Sequence, residues 1–190
     1  DVAALGDGEK NVEPLNNKKK KNASTAGSAS FAVDTVAPLV AVTSTALTAN
    51  ATPIISGTAE AGATVDVTVA GATYTVVATG GVWSVDTAND LPSSGTLALD
   101  INGSNAVSAV ATDAAGNTAS ASQSLVIDTT APTLAIAAVA VDGVINAQEH
   151  AAGLVISGTT NAGNGQVVTV TLNNHTYTGI ANGGVWSVAV

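Results

Sequence analysis

One seven-residue string constrains this chain more than its composition does. "AVDTVAP" ends at Pro38, and "VIDTTAP" ends at Pro132, 94 residues later. Two further strings return in step. "ISGT" occurs at 55–58 and 156–159, an offset of 101, and "GGVWSV" at 80–85 and 183–188, an offset of 103. The growing offset places insertions in the later copy, mostly around "VDGVINAQEHAAG". A period of 94 residues exceeds the roughly 20 to 50 of solenoid repeats and suits tandem domains of about 100 residues. The chain therefore reads as one whole module over 34–127 and a second, incomplete one over 128–190, cut after its fifth strand.

Residues 1–33 read as the C-terminal remnant of a preceding module, partly degenerate. "DVAALGDG" looks like a loop ahead of a penultimate strand, and "ASTAGSASFAV" like a last strand running into Asp34. The segment between them, "EKNVEPLNNKKKKN", keeps little alternation and makes a poor strand. Asp-Thr-x-Ala-Pro is then a junction. Its proline fixes φ and lacks an N–H, which stiffens the approach to a first strand and suits a sheet edge. The aspartate is either a polar linker residue or a cation ligand between modules.

Alternation with period two runs through the whole module. Val65, Val67 and Val69 share one face of "ATVDVTVAG", with Asp66 and Thr68 on the other. Tyr74 with Val76, Trp83 with Val85, Val107 with Ala109 and Ala111, and Leu125 with Ile127 repeat the pattern. No segment has a persuasive helical period. Seven strands are expected: A at 39–47, B at 53–58, C at 64–70, C′ or D at 73–78, E at 82–86, F at 105–112 and G at 119–127. Short strands separated by regular turn signals define the fold class as all-β, with tandem immunoglobulin-like Greek-key β-sandwich modules. Trp83 and Trp186 are expected in the cores, where they replace what a disulfide would contribute, since the chain has no cysteine.

Charge narrows the partners. All five basic residues are lysines, at position 10 and at 18–21, while residues 22–190 hold ten acids and no Lys or Arg. Such a body cannot neutralise phosphate, so no nucleic acid partner is expected. It repels itself unless small cations are present. The "KKKK" run could mark an anionic surface, but in a low-complexity patch it reads better as a solvated loop. No run of 18 apolar residues predicts membrane insertion.

"DTTAP", "GTAEAGATVDVTV", "GGVWSVD" and "ATDAAGNTASASQSLVIDTTAP" together resemble the bacterial Ig-like repeats of giant type I-secreted, biofilm-associated surface adhesins. The resemblance covers about residues 23–190. It implies an extracellular location on the bacterial cell surface and a stalk of many modules that holds an adhesive tip away from the cell. It also implies calcium at module junctions, which would make the rod stiff.

Calcium suits the residues as well, because it takes six to eight oxygen ligands from carboxylates, amides and carbonyls. In a Greek-key sandwich the incoming chain and the B–C and F–G loops lie at one pole. That placement predicts convergence of Asp34, Glu60 and Asp113, with Asn117 beside them. Asp128 should serve the second junction as Asp34 serves the first, although its B–C loop offers Asn161 and Asn164 and no acid. A second candidate is "VDGVINAQE", with Asp142, Asn146 and Glu149, which resembles an insertion of related adhesin modules. It reads equally well as a polar loop with a helical turn.

Catalysis is not expected. His150 and His175 are the only histidines, and neither stands in a recognisable nucleophile motif. The alternative to an adhesin stalk is an accessory linker or carbohydrate-binding module of a secreted polysaccharide-active enzyme, which would need exposed aromatics. An adhesive tip with its own receptor is a third reading, disfavoured by the repetitive, aromatic-poor sequence. Expected partners are neighbouring Ig-like modules. A further expectation is head-to-tail self-association, with residues 1–33 of one molecule completing 128–190 of another, or else a monomer folded back on itself.

Overall fold

The computed structural model describes residues 6–12, 29–140 and 143–190. The chain divides into two compact units, Asp1–Thr129 and Thr130–Val190.

The first unit holds strands β1 (Gly8–Val12), β2 (Ala29–Val33), β3 (Val40–Val42), β4 (Leu47–Thr48), β5 (Ile54–Ala59), β6 (Thr64–Val69), β7 (Ala72–Val77), β8 (Val82–Asp86), β9 (Ser94–Gly95), β10 (Ser104–Thr112) and β11 (Thr118–Ile127). A three-stranded sheet β3-β5-β8 faces a six-stranded sheet β4-β11-β10-β6-β7-β9, and β1 pairs with β2 apart from both. The fold is all-β, as the alternation demands. Every second residue of β6 is buried, and Val65, Val67 and Val69 meet Ile55, Val85, Ala109, Ala111 and Ile127 in one core. Each fully buried valine of this kind contributes about 1.5–3 kcal/mol.

Two expectations change in detail. The single strand expected at 39–47 is two short ones, one on each sheet: β3 pairs with β5, and β4 runs parallel to β11. The chain crosses between them where the amides of Thr43 and Ser44 both donate to the Ser56 carbonyl, at 2.8 and 3.1 Å. "GEKNV", which lacks alternation, is nevertheless a strand, paired antiparallel with Ala29–Val33. A two-stranded ribbon outside both sheets of the sandwich imposes little alternation on its sequence.

The second unit repeats the first on a smaller core. Its elements are β12 (Leu134–Ile136), α1 (Ala147–Ala152), β13 (Val155–Thr160), β14 (Val167–Leu172), β15 (His175–Ile180) and β16 (Val185–Ala189). The sheet β12-β13-β16 corresponds to β3-β5-β8, and the hairpin β14-β15 to β6-β7. Ile156, Val168, Ala181, Trp186 and Val188 form its buried cluster. Among the described residues β14 pairs with β15 alone, whereas β6 lies between β7 and β10.

Both tryptophans are core residues, as expected. Trp83 is 4% and Trp186 3% exposed. Each indole N–H reaches a carbonyl of the adjacent strand, Trp83 Nε1 to Thr58 O at 3.1 Å and Trp186 Nε1 to Thr159 O at 3.4 Å.

Candidate functional site

At the pole where the chain comes into the first sandwich, the loop between β10 and β11 is organised by one carboxylate. Asp113 Oδ1 accepts the amides of Ala115 and Asn117, both at 2.8 Å, and Oδ2 accepts Asn117 Nδ2 at 2.8 Å. Asp113 is only 8% exposed. The Asn117 side-chain amide, followed by the loop N–H groups, holds its carboxyl below the ordinary carboxylate value, and burial opposes them. Asn117 Nδ2 also donates to the Asp34 carbonyl at 3.2 Å. Asp34 Oδ1 in turn accepts the Val36 amide at 3.0 Å, a local turn that shapes the junction.

The structure thus brings Asp34 and Asp113 together through Asn117. Glu60 stands exposed on the β5–β6 turn and holds it through its backbone, donating to Leu39 O at 3.1 Å and accepting from Ala63 N at 3.0 Å. Among the described residues no three Asp, Glu or His side chains gather into a group able to hold a metal ion. Carboxylate and carbonyl oxygens suit calcium in kind. In number, the Asp113 carboxylate and the Asp34 main-chain carbonyl, joined by the Asn117 amide, fall short of its six to eight donors.

At the second junction the Asp128 amide donates to Thr48 O at 2.9 Å, continuing the parallel β4–β11 ladder. The asparagines of the following loop fasten backbone. Asn161 Oδ1 accepts Thr133 N at 2.6 Å, and Asn164 Oδ1 accepts Gly183 N at 2.8 Å.

In the insertion, Asp142 lies outside the described residues. Asn146 and Glu149 are together, as the start of α1. Asn146 Oδ1 accepts the amides of Gln148 and Glu149 at 2.9 and 3.0 Å, while Glu149 Oε2 accepts the Asn146 amide at 3.0 Å. This reciprocal capping box satisfies amides that a helix start leaves without partners. His150 lies in the last turn of the helix, and His175 opens β15 on an exposed face.

Sequence reasoning passed over three polar residues. Asp86 Oδ1 accepts Ala88 N at 2.9 Å, and Oδ2 accepts Asn89 Nδ2 at 2.8 Å. These bonds, Asn89 foremost, hold the Asp86 carboxyl below its ordinary value. The other two are Asp7 and Asn102, which occupy equivalent places before a glycine, 95 residues apart. Aligning the repeats through that glycine would have found them.

A sandwich of this strand order, with a loop-ordering Asp at the pole that receives the chain, is an immunoglobulin-like module. Residues 41–129, within the first unit, match the model of the bacterial Ig-like domain family. No curated protein matches the chain. Among solved structures, the chain is similar to a Ca2+-stabilized adhesin with which an Antarctic bacterium reaches out and binds ice, at 29% identity and TM-score 0.39, over 96% of this chain and 48% of that one. A 1.5-MDa bacterial ice-binding adhesin matches at 27% identity and TM-score 0.35, over 96% and 62%. A tetra-tandem repeat from the extending region of a large adhesion protein matches at 24% identity and TM-score 0.44, over 98% and 49%. The chain spans about half to three-fifths of the length of these solved chains.

Proposed function

We propose that the chain is a structural stalk segment of a large extracellular bacterial adhesin that supports cell adhesion or biofilm formation from the cell surface after type I secretion. The observation that carries this reading is the tandem repetition. A bacterial Ig-like domain is followed by a second unit that rebuilds its three-stranded sheet and its β6-β7 hairpin, and the same Asp-Thr-x-Ala-Pro string precedes each. In this reading the modules run over 34–127 and 128–190, with 1–33 belonging to a preceding module. The Gly8–Val12 and Ala29–Val33 ribbon supports that assignment, because it ends against the junction as β10 and β11 do.

The role is mechanical, not catalytic, and the principal partners are neighbouring modules. Burial of both tryptophans supports a stalk over a sugar-binding accessory module, since neither indole offers a stacking surface. Head-to-tail association of copies, with 1–33 of one against β14 of the next, is part of the proposal.

We further propose that calcium stiffens the junctions. Asp34 would supply carboxylate oxygen at the first, with Asp113 and Asn117 ordering the pole and Glu60 nearby. Asp128 would do so at the second, and Asp142, Asn146 and Glu149 at the insertion. A bound cation would also neutralise part of a body with ten acids and no Lys or Arg over 22–190. Calorimetric titration of the 190-residue chain with Ca2+ against Mg2+ tests this. Calcium should give a saturable heat that Asp34→Asn reduces. No calcium heat beyond that of magnesium would refute it.

A further inference from the structure

The threonine of Asp-Thr-x-Ala-Pro has a partner that its neighbours in sequence do not reveal. Thr129 follows the end of β11, and both its amide and its hydroxyl donate to Asn102 Oδ1, at 3.0 and 2.9 Å. Asn102 lies in the loop before β10. At the earlier junction the amide and hydroxyl of Thr35 both donate to Asp7 Oδ1, at 2.6 and 2.6 Å. Asp7 lies just before β1. The two threonines stand 94 residues apart and the two acceptors 95. The same two-pronged contact is therefore built twice, with an amide oxygen in one case and a carboxylate oxygen in the other.

We propose that this threonine is a clamp that fastens the start of each linker to the preceding module, using protein donors and acceptors alone. A valine would fill the position and keep the amide bond but lose the hydroxyl prong. The clamp does not act by itself. Val126 N to Ala46 O at 2.8 Å and Asp128 N to Thr48 O at 2.9 Å hold the two residues on alternate sides of Ile127, so 126–129 is fixed along the first unit. The second unit takes hold at Thr133, whose amide meets Asn161 Oδ1 at 2.6 Å and whose carbonyl accepts Thr160 Oγ1 at 2.7 Å. Residues 130–132 lie between these two anchors. Pro132 fixes its own φ and keeps Ala131 extended. At the earlier junction the bond from Asn117 to the Asp34 carbonyl plays the downstream part. The start of the linker is thus fixed to the preceding module before any cation is added.

The inference deepens the stalk reading, which gives the fastened linker its purpose, but its test does not require calcium. Amide hydrogen exchange on the full 190-residue chain, read by NMR in chelator and again in Ca2+, measures it. In chelator the Thr129 amide should be protected at least about tenfold over its unstructured rate. Asn102→Ala should abolish that protection while the central amides of β10 keep theirs, and Asn102→Asp should restore it. Thr129→Val should leave residue 129 only partly protected. A Thr129 amide that exchanges at the unstructured rate in chelator, or one indifferent to Asn102→Ala, would overturn the clamp. Protection gained only with Ca2+ would overturn the clamp and leave the calcium reading standing. Protection in chelator with no calcium effect anywhere would support the clamp and count against calcium stiffening.

Discussion

Gly57 carries no side chain because Trp83 lies where one would go. The two residues pair across β5 and β8, and a Cβ at Gly57 would collide with the indole and with the Ala41 carbonyl. Gly158 and Trp186 repeat the arrangement, with Trp186 Cζ2 2.7 Å from the position of a Cβ and the Ala135 carbonyl closer still. This is why "ISGT" and "GGVWSV" return together: one supplies the floor and the other the ring. Gly57→Ala should destabilise the first unit by about 1–3 kcal/mol through overpacking, measured by denaturant unfolding, and Gly158→Ala should act on the second unit alone. The tryptophans were legible as core from alternation, but their dependence on glycine was not, since cross-strand pairing joins positions 26 to 28 residues apart. Asp113 makes a pH prediction. Its folded-state pKa lies below the ordinary value, so its contribution is complete well above the ordinary carboxylate range and fades as pH falls through the depressed value. Asp113→Asn should therefore lower stability at neutral pH and flatten the acid limb of a pH–stability profile. An unchanged acid limb would show that the carboxylate is not held as described.

At the scale of elements, two hairpins with different sequences make the same turn. Ala70 and Gly71 join β6 to β7 with φ of 46° and 88°, and Asn173 and Asn174 join β14 to β15 with 48° and 64°. Both suit the two-residue hairpin turn that needs positive φ at each centre. The strands themselves were readable because burial on one face imposes alternation. The division of the first strand into β3 and β4 was not, because alternating residues serve either sheet and the choice rests on where the next hydrogen bonds fall. The helix α1 shows the same limit for the candidate site. Oxygen side chains at 142, 146 and 149 have a spacing compatible with wrapping a cation or starting a helix, and Asn146 and Glu149 form a capping box. Asn146→Ala should cost the helix about 1 kcal/mol. Because α1 buries none of its residues, the loss should appear in local NMR shifts and leave the global melting temperature nearly unchanged. A large global shift would mean that the insertion supports the fold as well.

For the whole molecule, repetition and charge carry the account. The repeat spacing was visible without coordinates because the same core contacts must be rebuilt in each module. The meeting of three acids at one pole was inferred from topology alone. Topology fixes which loops are neighbours but not which side chains they spend on their own turns, and Asp113 is spent that way. Light scattering across a concentration series should show the mass of the 190-residue chain rising with concentration, and deletion of residues 1–33 should suppress the rise. A constant monomer mass would remove head-to-tail association from the proposal. What the proposal adds to tandem repetition is calcium stiffening of the junctions between acidic modules. Small-angle scattering on one sample, first in chelator and then in Ca2+, measures that most directly, with a thermal melt of each state alongside. The account predicts a larger and more narrowly distributed maximum dimension in Ca2+, together with a higher melting temperature. Superimposable scattering curves and melts in the two conditions would contradict calcium stiffening.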